Sequence, residues 1–410
     1  MSPGLLLALA GVITVSPTGP VRSLGEAIRR SQPGDTIVVQ PGVYTEPTVE
    51  VDRRLVILGV GRPVFDGEGA RTVLRVTADS VTIRGLVVRN TGAMGSEDRA
   101  GILLVEVLGG LVEGNEVLNA AFGIYGQTVR GVRIVGNLVA GPGAAYSLSG
   151  NAIHCWSCQD MTVADNRVTG HRDGIYLEFS NQSSILRNEV VENLRYGLHF
   201  MRSDSSLYQG NAFLRNGAGI AVMYSRRVTI LGNRFLDNRG SAAYALLLKE
   251  ISDSRVEDND FAGNTVGLYL ENSNRNRITE NRFRENGRAV RVLANAVGNE
   301  FVGNSFVRNS FAVTTNSRSA TSRFDGNYWD QYRGYDLDRD GVGDVPFRPV
   351  RLFSLLVEQN DPALILLRSP FVDLLDVAER VFPVLTPAAL ADGRPLMAAP
   401  RCAPPQCFQP

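Results

Sequence analysis

Apolar and polar residues alternate in short bursts along most of this chain, and the bursts return at a near-constant interval. In YGLHFMRS (196–203) an extended backbone sends Leu198 and Phe200 to one side and His199 and Met201 to the other. Similar pieces begin with Gly and then Ile or Leu at 123, 174, 197, 219 and 267. Asparagines at 115, 137, 166, 188, 211, 233, 259, 281, 304 and 327 recur at intervals of 22, 29, 22, 23, 22, 26, 22, 23 and 23. A unit of this length, with three short alternating pieces and no helical period, predicts one coil of a solenoid. Leucine-rich repeats share the length but carry a leucine-dense consensus and a helical stretch, which this chain lacks. The expected fold is therefore all-β, a right-handed parallel β-helix in which the repeated Asn forms a ladder at one corner. The two long intervals are insertions at turns, where extra chain costs little.

The ends of such a stack need capping. SLGEAIRRSQPGD (23–35) has helical apolar spacing at Leu24, Ala27 and Ile28 before a Pro-Gly stop, and is expected to be the N-terminal cap. Residues 1–20 hold a short apolar run without the basic residues of an ordinary signal peptide; a truncated secretory signal is favoured there over a buried strand. The expected organisation is that segment, a capped β-helix over 21–330, an acidic loop over 331–349 and a tail over 350–410. Phe371, Leu374, Leu375 and Val377 in the tail have amphipathic spacing.

Stacked coils turn sequence alignment into spatial columns about 4.8 Å apart. Ile124, Ile153, Ile175, Leu198, Ile220, Leu246, Leu268 and Val290 form a core column. The outward column reads Tyr125, His154, Tyr176, His199, Ala221, Leu247, Tyr269 and Arg291; two residues further along lie Gln127, Trp156, Glu178, Met201, Met223, Lys249 and Glu271. The chain holds only three histidines and six methionines, so their meeting on one face needs explaining. Imidazole with thioether is the donor mixture that suits copper, above all Cu(I), whereas calcium and magnesium want oxygen. The candidate ligands are His154, His171, His199, Met201, Met223 and Glu178. The competing reading is a carbohydrate-binding or polysaccharide-processing face, with Tyr125, Trp156, Tyr176 and Tyr269 as stacking platforms.

Composition narrows the remaining choices. Forty-two basic residues, of which only Lys249 is a lysine, balance 42 acidic ones, which argues against nucleic acid or an anionic membrane as the main partner. Asp173, Glu178, Lys249 and Glu250 are spread over several coils rather than paired as glycosidase chemistry requires, so an enzyme is the weaker reading. Cys155 and Cys158 form CWSC, with Cys155 expected to point inward as a buried thiol; Cys402 and Cys407 stand close together in the tail. DLDRDGVGD places Asp336, Asp338, Asp340 and Asp344 around a Gly turn, like the start of a calcium loop, but Phe347 occupies the position of an EF-hand's last glutamate.

The runs GNAIHCW, GHRDGIYLEF, NLRYGLHFM, NGAGIAVMYS and ALLLKEI, with GNYWDQYRGYDLDRDGVGDVPFRPV and LLRSPF later, together resemble the NosD family of nitrous oxide reductase maturation proteins. The resemblance implies a periplasmic copper-binding scaffold docked on an ABC transporter made of the membrane subunit NosY and the ATPase NosF. It further implies copper receipt from the chaperone NosL and delivery to apo-nitrous oxide reductase. It also implies that an end of the molecule such as this tail engages the transporter. CWSC and the C-terminal CAPPQC depart from the family pattern.

Overall fold

A computed structural model describes residues 10–93, 98–143, 149–240, 243–317, 322–367, 369–381 and 390–400. The first nine residues of the candidate signal, the middle of the first insertion, and Cys402 with Cys407 lie outside the described residues. The chain divides into two compact units, Met1–His199 and Phe200–Pro410. Both are built as the periodicity predicts, as parallel β-solenoid of the right-handed type, each turn adding three short strands that pair with their counterparts one turn away.

The first unit opens with the strand Val12–Val15, paired in parallel with Thr36–Val39; part of the segment read as a signal is thus used by the fold. Helix α1, Leu24–Arg30, buries Leu24, Ala27 and Ile28. The Ser23 hydroxyl accepts from the Glu26 amide, and the Glu46 carboxylate accepts from the amides of Leu24 and Gly25 at 2.8 and 3.0 Å. These acceptors satisfy N–H groups that the first turn of a helix leaves open. Behind the cap, Ile102, Ile124, Ile153 and Ile175 stand in register as one core column. In the second unit Ile220, Leu246, Leu268, Val290 and Val313 do the same.

The asparagine ladder is the hydrogen-bonding solution to a repeated corner. In the first unit Asn115, Asn137 and Asn166 each donate their backbone N–H to the side-chain oxygen of the next, at 3.0, 2.9 and 3.0 Å, ending on Asn188. Their amide nitrogens turn inward to strand carbonyls, as Asn137 does to Val112 at 2.9 Å. All are buried, so each group would otherwise lie unpaired out of water. The second unit repeats the ladder from Asn211 to Asn327 and adds another from Asn216 through Asn238, Asn264 and Asn286 to Asn309. The second ladder escaped the sequence reading, although its members stand five residues after the first set.

The Gly-Ile and Gly-Leu starts have a steric cause. A Cβ on Gly219 would lie 2.2 Å from the carbonyl oxygen of Ala245 on the adjoining turn, and one on Gly123 would lie 2.4 Å from that of Ala152. Inside the second unit Phe213, Phe235, Phe261, Phe283, Phe306 and Trp329 stack face to face, with centroids 4.2–5.4 Å apart. Helix α2 (Leu352–Gln359) seats Phe353 and Val357 against Phe311. Helix α3 (Pro370–Val381) follows, with Phe371, Leu374 and Val377 exposed. Asp392 ends the ladder: its carboxylate accepts from the Asn327 backbone and side chain and from the Trp329 indole, at 2.9–3.0 Å.

Candidate metal site

In the first unit the outward column is a continuous stack of rings. Phe122 and Tyr125 come from the strand Phe122–Gln127, His154 from Asn151–Trp156, Tyr176 from Asp173–Glu178 and His199 from Tyr196–Met201. Parallel pairing sets Tyr125 beside His154 and His154 beside Tyr176. Tyr125 and His154 lie nearly parallel at 4.4 Å; Tyr176 presents an edge contact to His154 at 4.7 Å and to His199 at 4.9 Å.

The expectation that this face meets water fails at several positions. Tyr125 is 7% exposed and His199 8%, while Ala221 and Leu247 in the second unit are 0% and 5% exposed. In the first unit the cause is the close ring packing, with Phe122 closing against both Tyr125 and His154 at 5.4 Å. Tyr125, covered on two sides, offers no free face to a sugar. Burial raises its hydroxyl to about 12. Burial, then the hydrogen bond to Glu178 at 2.9 Å, raises Tyr176 as well.

Charge is concentrated beneath the histidines. The Asp173 carboxylate is completely buried; Arg195 grips both oxygens, one through Nε at 2.7 Å, and His199 Nδ1 stands 3.5 Å from Oδ2. Burial would raise the Asp173 pKa, but the hydrogen bonds from Arg195 and His199 outweigh it and hold the group below its ordinary value. Arg195 also lies over the Tyr196 ring at 4.7 Å. One coil earlier Arg172 donates to Asn151 Oδ1 at 3.2 Å, and the Asn151 amide faces His154 Nδ1 at 3.4 Å. Burial, followed by the charge of Arg172, lowers His154 to about 3, so the ring is neutral at physiological pH. Nε2 of both His154 and His199 is buried without a hydrogen-bond partner among the described residues. Such an atom costs about 1–3 kcal/mol unless a ligand takes it up.

Met201 and Met223 are both half-buried. The Arg202 amide donates to the Met223 carbonyl at 3.0 Å, the step that Tyr224 makes to Lys249, whose pairing with Met223 is direct. Met201 and Met223 therefore stand side by side on adjoining strands, while Phe200 and Val222 point into the core with no exposure.

Not all the sequence candidates converge. His154 and His199 lie two strand spacings apart, roughly 9.5 Å, with the Tyr176 ring filling the gap, so one ion cannot bond both. His171 is fully buried at the turn before its strand, its amide donating to Asn193 Oδ1 at 3.2 Å; burial lowers it to about 3, opposed by the Ala121 carbonyl. Cys155 and Cys158 are buried free thiols. Their mutual hydrogen bond raises Cys155 well above the ordinary thiol range and lowers Cys158. Elsewhere, ligand oxygens of Asp336, Asp338 and Asp340 lie within 4.8 Å of one another, and Asp344 accepts from the Leu337 amide at 2.8 Å. The sequence reading missed the supports Phe122, Asn151, Arg172 and Arg195. A visible signal existed for one pair: Asn151 and Asp173 occupy the same register, three residues before the outward ring.

Among solved structures, a surface adhesin of Streptococcus pneumoniae, PfbA, superposes with a TM-score of 0.59 at 11% identity, covering 80% of this chain and 94% of its own. The catalytic unit of an α-1,3-glucanase from Streptomyces thermodiastaticus gives 0.59 at 14% identity, covering 79% and 67%. At such identities these likenesses establish the fold alone. No helix of the described residues is long and apolar enough to cross a membrane. The model of a family described as periplasmic copper-binding protein (NosD) matches residues 139–334. A protein of Stutzerimonas stutzeri named probable ABC transporter binding protein NosD is 29% identical, over 82% of this chain and 81% of its own. Its namesake in Pseudomonas aeruginosa is 31% identical over 95% of this chain and 97% of its own, and the chain accordingly belongs to the NosD family.

Proposed function

We propose that this protein carries Cu(I) in the periplasm, with the side-by-side thioethers of Met201 and Met223 in the second unit as soft donors and His199 in the first unit as a nitrogen donor, and passes it on by ligand exchange. The observation that carries the reading is the pair of half-buried thioethers, Met201 beside Met223. In the first unit His199 offers an Nε2 with no hydrogen-bond partner among the described residues. The two soft sulfurs select Cu(I) over hard cations, an imidazole nitrogen also suits copper, and partial burial of the thioethers leaves an approach for an incoming donor. His154 and Glu178, engaged with Tyr125 and Tyr176 in the first unit, stand outside the ligand set, as does the fully buried His171.

In the same reading the protein docks on the transporter of NosY and NosF, accepts copper from NosL and serves assembly of the copper centre of apo-nitrous oxide reductase. Its role is binding and transfer rather than catalysis. Ca2+ at Asp336, Asp338 and Asp340 is a separate element, to be decided by calcium equilibrium dialysis of the wild type and the Asp338→Asn variant.

An anaerobic Cu(I) titration against a chromophoric chelator tests the copper site. Met201→Leu with Met223→Leu keeps volume and apolarity, and should weaken binding at least about tenfold, ~1.4 kcal/mol. Met161→Leu, in the core at 1% exposure, should change nothing. Equal affinities for wild type and the double variant would remove the site.

A further inference from the structure

The outward histidine is held from behind by a buried ion pair that no surface role requires. Asp173 is fully enclosed; its Oδ1 accepts from Arg195 Nε at 2.7 Å and from the Tyr196 amide at 3.4 Å. Its Oδ2 takes the second arm of Arg195 and faces His199 Nδ1 at 3.5 Å. Tyr176 and Tyr196 hold the imidazole from two sides, each with a centroid 4.9 Å away.

A carboxylate only accepts hydrogen bonds, so the sole hydrogen His199 can offer it sits on Nδ1. The competing contact, Arg195 Nη2 to His199 Nδ1 at 3.4 Å, would place the ring hydrogen on Nε2, where the described residues supply no acceptor. We infer that Asp173, clamped by Arg195, is a positioning residue: it fixes His199 in the Nδ1–H tautomer and leaves the Nε2 lone pair bare for a soft cation. This rests on the copper reading for its ligand, but the tautomer belongs to the metal-free chain. The arrangement follows the general habit of metal-binding histidines, whose second nitrogen is oriented by a carboxylate. Binding would then need neither ring rotation nor loss of a proton from Nε2.

The test starts with nitrogen-15 spectra of the metal-free full chain, which has only three imidazoles to resolve; His199→Gln assigns the third. The wild type should show protonated Nδ1 and bare Nε2 at His199. Asp173→Asn, whose amide can donate to Nδ1, should move the hydrogen to Nε2 and weaken Cu(I) binding 10–100-fold. A wild-type ring protonated on Nε2 overturns the inference even where the variant fails to fold. So does an unchanged tautomer, or an unchanged Cu(I) affinity, in a folded Asp173→Asn. If no form of the protein binds Cu(I), the copper reading falls and the tautomer alone decides the role of Asp173.

Discussion

Tyr125 and His154 lie ring on ring, their centroids 4.4 Å apart and their planes within 10°. The contact keeps water from the imidazole, and the cost of charging it there sets a pH limit on the first unit. His154 and His171 both titrate at about 3 in the folded protein, against an ordinary 6.5 in the unfolded chain. Between these values the unfolded state binds more protons. Stability should therefore be flat above about pH 6.5 and fall as pH drops, by up to about 1.4 kcal/mol per unit per ring. Urea midpoints at pH 7.5, 6 and 4.5 check this; His154→Gln should flatten the curve, and an unaltered slope in that variant would refute the assignment.

The ladder predicts a cost unrelated to hydrophobicity. Asn166 takes the Asn137 amide, gives its own N–H to Asn188, and sends its side-chain nitrogen to the Ile134 carbonyl at 2.9 Å. Asn166→Ala leaves buried donors and an acceptor unpaired, and should destabilise by about 3 kcal/mol. Asn166→Asp, isosteric but charged, should cost no less. Chemical denaturation gives both values.

The aromatic stack predicts a larger loss. Phe261 has no exposure and stacks on Phe235 at 4.8 Å and on Phe283 at 4.7 Å. Phe261→Ala should cost about 3–5 kcal/mol through the cavity it opens, whereas Phe261→Leu should recover a good part of it. Thermal unfolding of the pair measures the difference.

Arg291 predicts how the tail is fastened. Its guanidinium meets the buried carboxylate of Glu358 on α2, with Nε at 2.7 Å, and lies over Tyr269 at 4.7 Å. Glu358→Ala should loosen α2 and its Phe353–Phe311 contact by about 2 kcal/mol. Limited proteolysis would then cut after residue 340 sooner than in the wild type, while the solenoid strands keep their protection against hydrogen exchange.

The alternating pieces, their spacing and the repeated Asn determined the coil, its corner and its core columns, because translation by one turn converts sequence period directly into spatial register. The pairing of Ile220 with Leu246, and of Leu246 with Leu268, needed nothing more. The family resemblance also lay in the sequence, in runs such as GHRDGIYLEF and NLRYGLHFM. Which outward positions are covered was decided only by the tertiary structure. Phe122 closes over Tyr125 and His154, Tyr176 separates His154 from His199, and Arg195 reaches back to Asp173. Alternation says which side of a strand a residue leaves. What it then meets depends on ring orientation, the paths of long side chains and whichever neighbour excludes water, and none of these is periodic.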